Sequence, residues 1–437
     1  MISSDLIIAN CSQLLTCRGP VPKRGKDLQN VGAIENGCIA SLKGRIVFVG
    51  ETENLENKVH FEKDAEFIDG SGLVGLPGFI DSHTHLPFAG SREEEFVLRL
   101  QGYTYQQIAE KGLGIQTTVN ATRKATKEEL INLCLCRLNT MLLHGTTTAE
   151  AKSGYGLNIK DELKQLQVLK ELNERHPVDI VPTFMGAHEV PKEYKGRKQD
   201  YIELLINEAL PEVKKNNLAE FFDVFCEQGV YSIEDTRQLI RAAKKQGFKI
   251  KIHADEFAPL GGTQLAVEEE ATSADHLMAV TEEGIQALSR SSTVATMLPA
   301  VPFFLMQEKK APARKLIDKG AIVALATDFN PGSSMTESML FILQLAVFTL
   351  NMGIEEAINA STVNAAYALS RHEDVGTLEK GKKMDVILCE IPNYLHLAYH
   401  LGINPIKHVI KNGKLVVKDK KVLTTANPIL YSHYGSC

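Results

Sequence analysis

Short apolar runs alternate with longer amphipathic segments through the middle of the chain, from about residue 78 to residue 371. Each of these runs has the length and the flanking turn residues of a buried strand, and each is followed by apolar positions at helical spacing. The runs are residues 79–85, 146–151, 180–187, 222–226, 249–254, 273–277, 294–298 and 322–327. Eight strand-helix units in succession favour a parallel sheet and predict an α/β fold, a (β/α)8 TIM barrel.

The two ends of the chain have a different pattern, in which apolar and polar residues alternate over short runs without helical segments between them. These strand-like runs are residues 5–9, 38–49, 66–68, 383–390 and 406–417. Within the last run, Asn412-Gly413 is a strong signal for a two-residue hairpin turn. We therefore expect both ends to pair into one small discontinuous β-sandwich. The predicted domains are residues 1–76 and 373–437 for the β-sandwich and residues 77–372 for the barrel.

Composition narrows the range of functions. The chain has 437 residues, 44% of them hydrophobic, and a net charge of -6, which argues against nucleic acid and anionic membranes as partners. The longest apolar stretch, residues 339–350, is too short to span a bilayer. Eight cysteines without a framework-like spacing, and an acidic Asp5 where a secretory signal would be basic, favour the cytoplasm. We expect a cytoplasmic homodimer that acts on a small-molecule substrate.

Residues that can bind a metal follow four of the predicted strands. The first strand ends in His83-Thr84-His85, and residues two apart on a strand share a face. His253 ends the fifth strand, His276 the sixth and Asp328 the eighth. Because the chemistry of a TIM barrel lies at the C-terminal ends of its strands, this coincidence predicts one metal centre at that rim.

These residue types suggest a division of roles. Three histidines and one aspartate around a divalent cation leave a position open for water, and such a cation lowers the pKa of that water to about 7. Asp328 can bind the cation and accept a proton from the water, while His276 can orient the nucleophile or assist the proton transfer. Glu256, three residues after His253, is placed to carry a proton to a leaving nitrogen.

This set of residues resembles the amidohydrolase superfamily, which has the same ligands on the same strands of a barrel with a flanking β-sandwich. Where many members carry a lysine after the fourth strand, this chain has Phe225-Cys226-Glu227, which is typical of the mononuclear branch. Longer segments resemble the imidazolonepropionases within that superfamily. They are residues 83–90 with Arg92 and Glu95, and residues 152–156, 186–188, 253–257, 273–277 and 326–334.

The resemblance implies an activity and a site. Imidazolonepropionases open the ring of 4-imidazolone-5-propanoate with water and form N-formimidoyl-L-glutamate in histidine degradation. The implied cofactor is one Zn²⁺ or Fe²⁺ ion, held by His83, His85, His253 and Asp328. The implied substrate-binding residues are Arg92, Tyr105, Tyr155, His188, Glu256, Asn330, Gly332 and Ser333. The expected catalytic residues are Glu256, His276, Asp328 and His188.

The sequence departs from the family pattern at two places. Gly112-Leu113-Gly114 stands where the family usually has three glycines, so a loop near the site is expected to close differently. Ser333 stands where many members have threonine, and both residues supply a hydroxyl.

Two other functions are compatible with parts of this pattern. A deaminase of a small heterocycle would use nearly the same metal ligands. Arg92 and Tyr155 favour the ring hydrolase, because a carboxylate-bearing substrate needs a positively charged fork that a neutral base does not. An inactive barrel kept as an assembly module is the other alternative, but such proteins generally lose metal ligands and this chain has kept the set.

Overall fold

The computed structural model describes residues 2–103, 107 and 111–423. Strands are numbered in chain order. Those from the chain ends are β1 Ile2–Leu15, β2 Ala33–Leu42, β3 Arg45–Glu51, β4 Val59–Asp69, β5 Val74–Pro77, β14 Val386–Cys389, β15 Ile406–Lys411, β16 Lys414–Lys418 and β17 Lys421–Val422. Those from the middle are β6 Phe79–Asp81, β7 Thr146–Lys152, β8 Asp179–Ala187, β9 Phe221–Cys226, β10 Lys249–Ala254, β11 Ser273–His276, β12 Val294–Met297 and β13 Ile322–Leu325.

The described helices are numbered in the same way. They are α1 Leu55–Lys58, α2 Glu93–Leu100, α3 Ile115–Lys124, α4 Lys127–Leu143, α5 Ile159–Arg175, α6 Lys198–Leu204, α7 Leu210–Lys215, α8 Ile233–Lys245, α9 Gly262–Glu268, α10 Glu282–Ser289, α11 Ala300–Phe304, α12 Ala313–Asp318, α13 Met339–Leu350, α14 Ile354–Ala360, α15 Val363–Ala368 and α16 His396–Tyr399. Short 3-10 turns cover Gly25–Gln29, Thr52–Asn54 and Lys192–Tyr194, and one π-helical turn covers Leu205–Ala209. None of the described helices is long and apolar enough to cross a membrane.

Strands β6 to β13 form one parallel sheet in sequence order, with a helical connection between successive strands. The TIM barrel expected from the sequence, with its eight strands, is therefore confirmed. The sheet closes between its first and last strands only beyond their C-terminal ends. There the Asp328 N–H donates to the His83 carbonyl and the His85 N–H donates to the Phe329 carbonyl, each at 3.0 Å. The ring is thus completed by the same residues that carry the candidate metal ligands.

The local sequence explains where the longer helices begin. Helix α4 starts at a capping box, in which Thr126 accepts a hydrogen bond from the Glu129 N–H and Glu129 accepts one from the Thr126 N–H. Ser232 and Asp235 form the same arrangement at the start of α8. The apolar faces of these helices pack against the barrel strands in one large core, so burial holds the strand ends in place.

The two ends of the chain form a second, mixed sheet beside the barrel. Its strand order is β17-β16-β15-β14-β5-β1-β2-β3, with β4 also paired to β1. The antiparallel pairing of β5 with β14 joins the N-terminal part to the C-terminal part. Alternate residues of β1 enter different apolar clusters, with Leu6 and Ile8 in one and Ile7 and Ala9 in the other. The expected small β domain from both chain ends is therefore confirmed.

Some strands of this second sheet differ from the expectation. Strand β1 is longer than the predicted residues 5–9, because its pairing with β2, β4 and β5 continues on both sides of the short alternating run. Strands β5 and β17 were not predicted, since four and two residues are too few to give a pattern. The turn at Asn412-Gly413 lies where the sequence predicts it, and a second turn at Lys43-Gly44 joins β2 and β3.

Candidate metal centre and active site

Four predicted ligands meet at the C-terminal rim of the barrel. His83 and His85 follow β6, His253 lies in β10 and Asp328 follows β13, and one potential ligand atom of each lies within 4.8 Å of the others. The Nε2 atoms of His83 and His85 are 3.2 Å and 3.4 Å from Oδ1 of Asp328. All four side chains are buried. The sequence therefore identified a cluster of donors that the fold brings together.

Two of these histidines are oriented by carboxylates. The His83 Nδ1 atom lies 2.7 Å from Oδ2 of Asp275, and the His253 Nδ1 atom lies 3.0 Å from Oδ1 of Asp223. An ionised carboxylate only accepts hydrogen bonds, so each Nδ1 carries the proton and each Nε2 presents a lone pair. Both Nε2 atoms are buried without a hydrogen-bond partner. Lone pairs of this kind aimed at one point are what a divalent cation requires, so the residues fit a metal ion.

A buried layer of charged side chains lies beneath the metal cluster. The Lys152 Nζ atom is 2.6 Å from Oε1 of Glu150 and 2.8 Å from Oδ2 of Asp223, and all three side chains are fully buried. Burial opposes the charge on Lys152, but Asp223 and Glu150 raise its pKa above the usual value. Opposite charges thus stabilise one another where an isolated charge would be unfavourable.

Lys251 is the positive charge beside the second carboxylate, Asp275, as Lys152 is beside Asp223. Its Nζ atom donates to the Ser273 hydroxyl at 2.7 Å and lies 3.7 Å from Oδ2 of Asp275. Burial would raise the pKa of Asp275, but Lys251 and His83 hold that pKa below its usual range. Asp275 therefore stays ionised and keeps the His83 Nδ1 proton in place.

Sequence reasoning assigned no role to this charged layer. A usable signal was present, because Glu150 and Lys152 lie two apart on one strand and Lys251 lies two before His253 on another. Charged residues spaced in this way inside otherwise apolar strands indicate inward-facing groups that must pair with one another.

Asp328 is held by the loop that follows it. Its backbone has a φ of +54°, a left-handed conformation that is unfavourable for a non-glycine residue. Its Oδ2 atom accepts hydrogen bonds from Asn330 Nδ2 at 2.9 Å and from the Ser333 hydroxyl at 3.1 Å, which leaves Oδ1 facing the histidines. The Asn330 Oδ1 atom in turn accepts the Gly332 and Ser333 N–H groups. Asn330 and Ser333 thus orient a metal ligand as well as lining the cavity.

His276 and Glu256 form a pair on one side of the cluster. The His276 Nδ1 atom lies 3.6 Å from Oε1 of Glu256, and neither ring nitrogen of His276 has a hydrogen-bond partner. Burial lowers the pKa of His276 well below its ordinary value. Burial, aided by the charges of Asp328 and Glu227, raises the pKa of Glu256 well above its own. These shifts favour the uncharged form of the histidine and the protonated form of the glutamic acid.

A cavity of about 620 Å³ opens over the metal ligands. His188 stacks on His85 with ring centroids 5.0 Å apart, and its Nδ1 atom lies 3.0 Å from the Gly154 carbonyl oxygen. Because a carbonyl only accepts, Nδ1 donates and Nε2 is left as an acceptor. The Tyr155 ring lies 5.3 Å from His188 and is buried, and burial raises the pKa of its hydroxyl.

Arg92 lies in the wall of the same cavity and forms a two-point ion pair with Glu95. Its Nε and Nη2 atoms donate to the two Glu95 carboxylate oxygens at 2.7 Å and 2.6 Å. A Cβ atom at Gly332 would come within 2.1 Å of the Arg92 Nη1 atom, so a larger residue there would displace the guanidinium from this position. The pairing with Glu95 was not foreseen, although Glu95 lies one helical turn from Arg92.

The structure brings almost all the predicted site residues to one cavity. It is lined by His85, His253, Asp328, His276, Glu256, His188, Tyr155, Arg92, Asn330, Gly332 and Ser333. His83 is not among the lining residues, but its Nε2 atom is 3.2 Å from Oδ1 of Asp328. Tyr105 lies outside the described residues. The individual roles of these residues remain predictions.

Comparisons with known proteins agree with this architecture. The model of the amidohydrolase family matches residues 74–416. The chain is similar in structure to an adenosine deaminase from Xanthomonas campestris with bound zinc, with a TM-score of 0.71 at 15% identity over 98% of this chain and 96% of that one. It is also similar to atrazine chlorohydrolase from Arthrobacter aurescens complexed with zinc, with a TM-score of 0.69 at 16% identity over 97% of each chain. At such low identities these two likenesses concern the fold alone. The chain belongs to the amidohydrolase family.

Sequence relatives define the group within that family. The chain is 48% identical to the imidazolonepropionase of Clostridium tetani over 96% of its own length and 99% of that protein. It is 46% identical to the imidazolonepropionase of Alkaliphilus oremlandii over the same shares of the two chains. Similarity of this extent places the chain among the imidazolonepropionases.

Proposed function

We propose that this chain hydrolyses the ring carbon–nitrogen bond of 4-imidazolone-5-propanoate to give N-formimidoyl-L-glutamate, a step of histidine degradation. The observation that carries the proposal is one cavity lined by three of the four metal ligands, His85, His253 and Asp328, and also by Arg92 and Tyr155. A ring amide fits the metal end of such a cavity, and a propionate needs a guanidinium at the other end.

The cofactor in this proposal is one zinc or ferrous ion, held by His83, His85, His253 and Asp328. When bound, such an ion polarises a carbonyl oxygen and lowers the pKa of water to about 7. Three imidazoles and one carboxylate suit both metals. Phe225, Cys226 and Glu227 stand at the end of β9 without a lysine, and Glu227 accepts the Phe257 N–H at 2.9 Å. The ligand set therefore supports a single ion.

In this proposal, Glu256, His276 and Asp328 carry out the proton transfers. Burial raises the pKa of Glu256 and so favours its acid form, which can donate a proton to the leaving ring nitrogen. Uncharged His276, 3.6 Å from Glu256, can accept a hydrogen bond from the attacking water. Asp328 keeps Oδ1 on the side of the histidines and can accept the proton of that water.

Substrate orientation falls to the other side of the cavity. His188 presents Nε2 to the imidazolone ring, since Nδ1 is committed to Gly154. The Tyr155 hydroxyl remains protonated and can donate to the substrate. Glu95 occupies the Nε–Nη2 edge of Arg92, so the propionate would meet the outer edge formed by Nη1 and Nη2.

We further propose that the enzyme is a cytoplasmic homodimer, with the domain limits given by the sequence. The seven described cysteines are free thiols, which is typical of a reducing compartment. Light scattering on the purified protein measures the oligomeric state directly.

The test is incubation of the metal-loaded enzyme with freshly generated imidazolone propionate. We expect its ultraviolet absorbance to disappear and N-formimidoyl-L-glutamate to form in equal amount, as measured by mass spectrometry. A purine and a pyrimidine, followed by ammonia release, serve as the comparison for a deaminase. Turnover of either base, with none of the imidazolone, would replace the proposed function by deamination.

A further inference from the structure

The helix that carries Glu95 also carries a second arginine into the cavity wall. Arg92 immediately precedes α2, and Arg99 lies seven residues later, so the spacing of three and seven places Arg92, Glu95 and Arg99 on one face. All three side chains line the cavity. Glu95 is bonded to Arg92 through both oxygens, and no ion pair within 4.0 Å joins Arg99 to a described carboxylate.

The guanidinium of Arg99 is held in place, but two of its nitrogens lack hydrogen-bond partners. Its central carbon lies 5.2 Å from the centroid of the Phe304 ring, and Phe304 stacks on Phe96 at 5.2 Å. These contacts fix the side chain through a cation–π interaction. They do not pair its N–H groups, because the Nε and Nη2 atoms are buried without a hydrogen-bond partner. Leaving buried donors of a charged group unpaired is costly, so a carboxylate that reached this edge would be bound favourably.

The two arginines differ in which edge is available. On Arg92 the Nε–Nη2 edge, which matches the two oxygens of a carboxylate, is occupied by Glu95. On Arg99 the two nitrogens of the same edge are buried and have no hydrogen-bond partner among the described residues. The charges of Arg92 and Glu95 also cancel, so Arg99 leaves one uncompensated positive charge on this side of the cavity. Across the cavity, Glu227 accepts the N–H groups of Gln228 and Phe257 and does not pair with Arg99.

We propose that Arg99 is a specificity-determining residue, which binds a carboxylate on the short aliphatic tail of the substrate through its Nε–Nη2 edge. Arg92, fixed by Glu95, then contributes only its outer edge to the same carboxylate. The inference rests on the proposed function for the identity of the substrate. The carboxylate site itself rests on the free edge, the charge and the position of Arg99.

The first experiment compares kinetics of variants that separate charge from packing. Arg99→Met keeps an apolar stem against Phe304 but loses the fork, and we expect the KM for imidazolone propionate to rise roughly ten- to a hundredfold with kcat little changed. Arg99→Lys should recover part of the loss, because it restores charge without the planar fork. An imidazolone without the propionate should be turned over equally by all three proteins. Lys124→Met, which removes an exposed cation outside the cavity, should leave the KM unchanged.

The second experiment measures binding without turnover. Imidazole propionate, a stable imidazole with the same tail, is titrated calorimetrically into the metal-loaded parent and into Arg99→Met, with imidazole as the tail-less control. We expect the variant to lose roughly ten- to a hundredfold in affinity for imidazole propionate and none for imidazole. Equal affinity of the parent and Arg99→Met for imidazole propionate would show that Arg99 only packs on Phe304 and would overturn the proposal.

The two experiments also separate this inference from the proposed function. If the parent fails to hydrolyse imidazolone propionate but binds imidazole propionate in a manner that depends on Arg99, the proposed reaction is wrong and the carboxylate site stands. If the parent hydrolyses the substrate and Arg99→Met has the parent's KM, the reaction stands and the role of Arg99 is refuted. Melting curves and metal content, measured on each variant, show whether the fold and the metal centre are intact.

Discussion

The His83 Nδ1 atom lies 2.7 Å from Oδ2 of Asp275, and both side chains are fully buried. Asp275 is in turn 3.7 Å from the Nζ atom of Lys251, which keeps it ionised in an apolar barrel. This chain of contacts fixes the ring of His83 so that Nε2 faces the other ligands. Metal affinity should therefore depend on a residue that does not itself touch the metal.

Asp275→Asn removes the charge that orients His83 while keeping the size of the side chain. We expect the affinity for the metal to fall about 10- to 100-fold, with kcat recovering in part at saturating metal. Competition with a chelator of known affinity measures this change. Asp385→Asn is the matched control, because Asp385 is a buried carboxylate paired at 2.6 Å with Lys411 in the second sheet. If both variants lose metal equally, the effect comes from general destabilisation.

The metal content of the purified protein tests the ligand set. We expect about one zinc or iron ion per chain, because three imidazoles and one carboxylate converge without a bridging lysine. His253→Ala should lose most of the metal and most of the turnover, as measured by elemental analysis and steady-state kinetics. Two tightly bound ions per chain would contradict the mononuclear site.

Glu256→Gln removes the titratable carboxyl group and keeps its hydrogen-bonding shape. We expect kcat to fall roughly 10²- to 10⁴-fold without loss of metal. Burial raises the pKa of Glu256, so the acid form persists to higher pH than in an exposed glutamate and is lost as the pH rises through that pKa. The parent should thus show an alkaline fall in kcat that the variant lacks. A near-normal kcat for Glu256→Gln would remove this residue from the mechanism.

His276→Ala tests the neighbour of Glu256. We expect a similar loss of kcat with the metal retained, because His276 lies 3.6 Å from Glu256 and is not among the four converging ligands. Elemental analysis of the variant shows whether His276 acts in proton transfer or is needed to hold the metal. A metal-free His276→Ala protein would mean that this histidine supports the metal centre rather than proton transfer.

Arg92→Lys and Arg92→Ala test the propionate contact. We expect kcat/KM to fall for both, by about 2 to 3 kcal/mol for alanine, because a charge-assisted contact is lost and lysine cannot reproduce the planar fork. An imidazolone lacking the propionate should be a poor substrate for the parent, and Arg92→Ala should hardly change that residual rate. An equal loss of kcat/KM with both substrates would mean that the Arg92–Glu95 pair supports the fold.

Much of the fold and the metal site is determined by the sequence alone. Strand positions follow from local hydrophobic patterning, and helix α13 covers the same residues as the longest apolar stretch, 339–350. His83 and His85 could be assigned to one site because residues two apart on a strand share a face, and parallel strands bring their C-terminal ends to one rim. These are properties of local geometry and of a regular barrel, so no tertiary contact was needed to infer them.

The orientation of those residues was decided only by the tertiary structure. Asp275 reaches His83 across the barrel, 192 residues away in sequence, and Asp223 reaches His253 from the neighbouring strand. Asp328 and His276 have positive φ angles that no sequence pattern announces. Which edge of an arginine is occupied also depends on contacts that a sequence does not encode locally, as Arg92 and Arg99 show. Pairing of buried charges is settled when the whole barrel closes, because only then are the groups removed from water and forced to find partners.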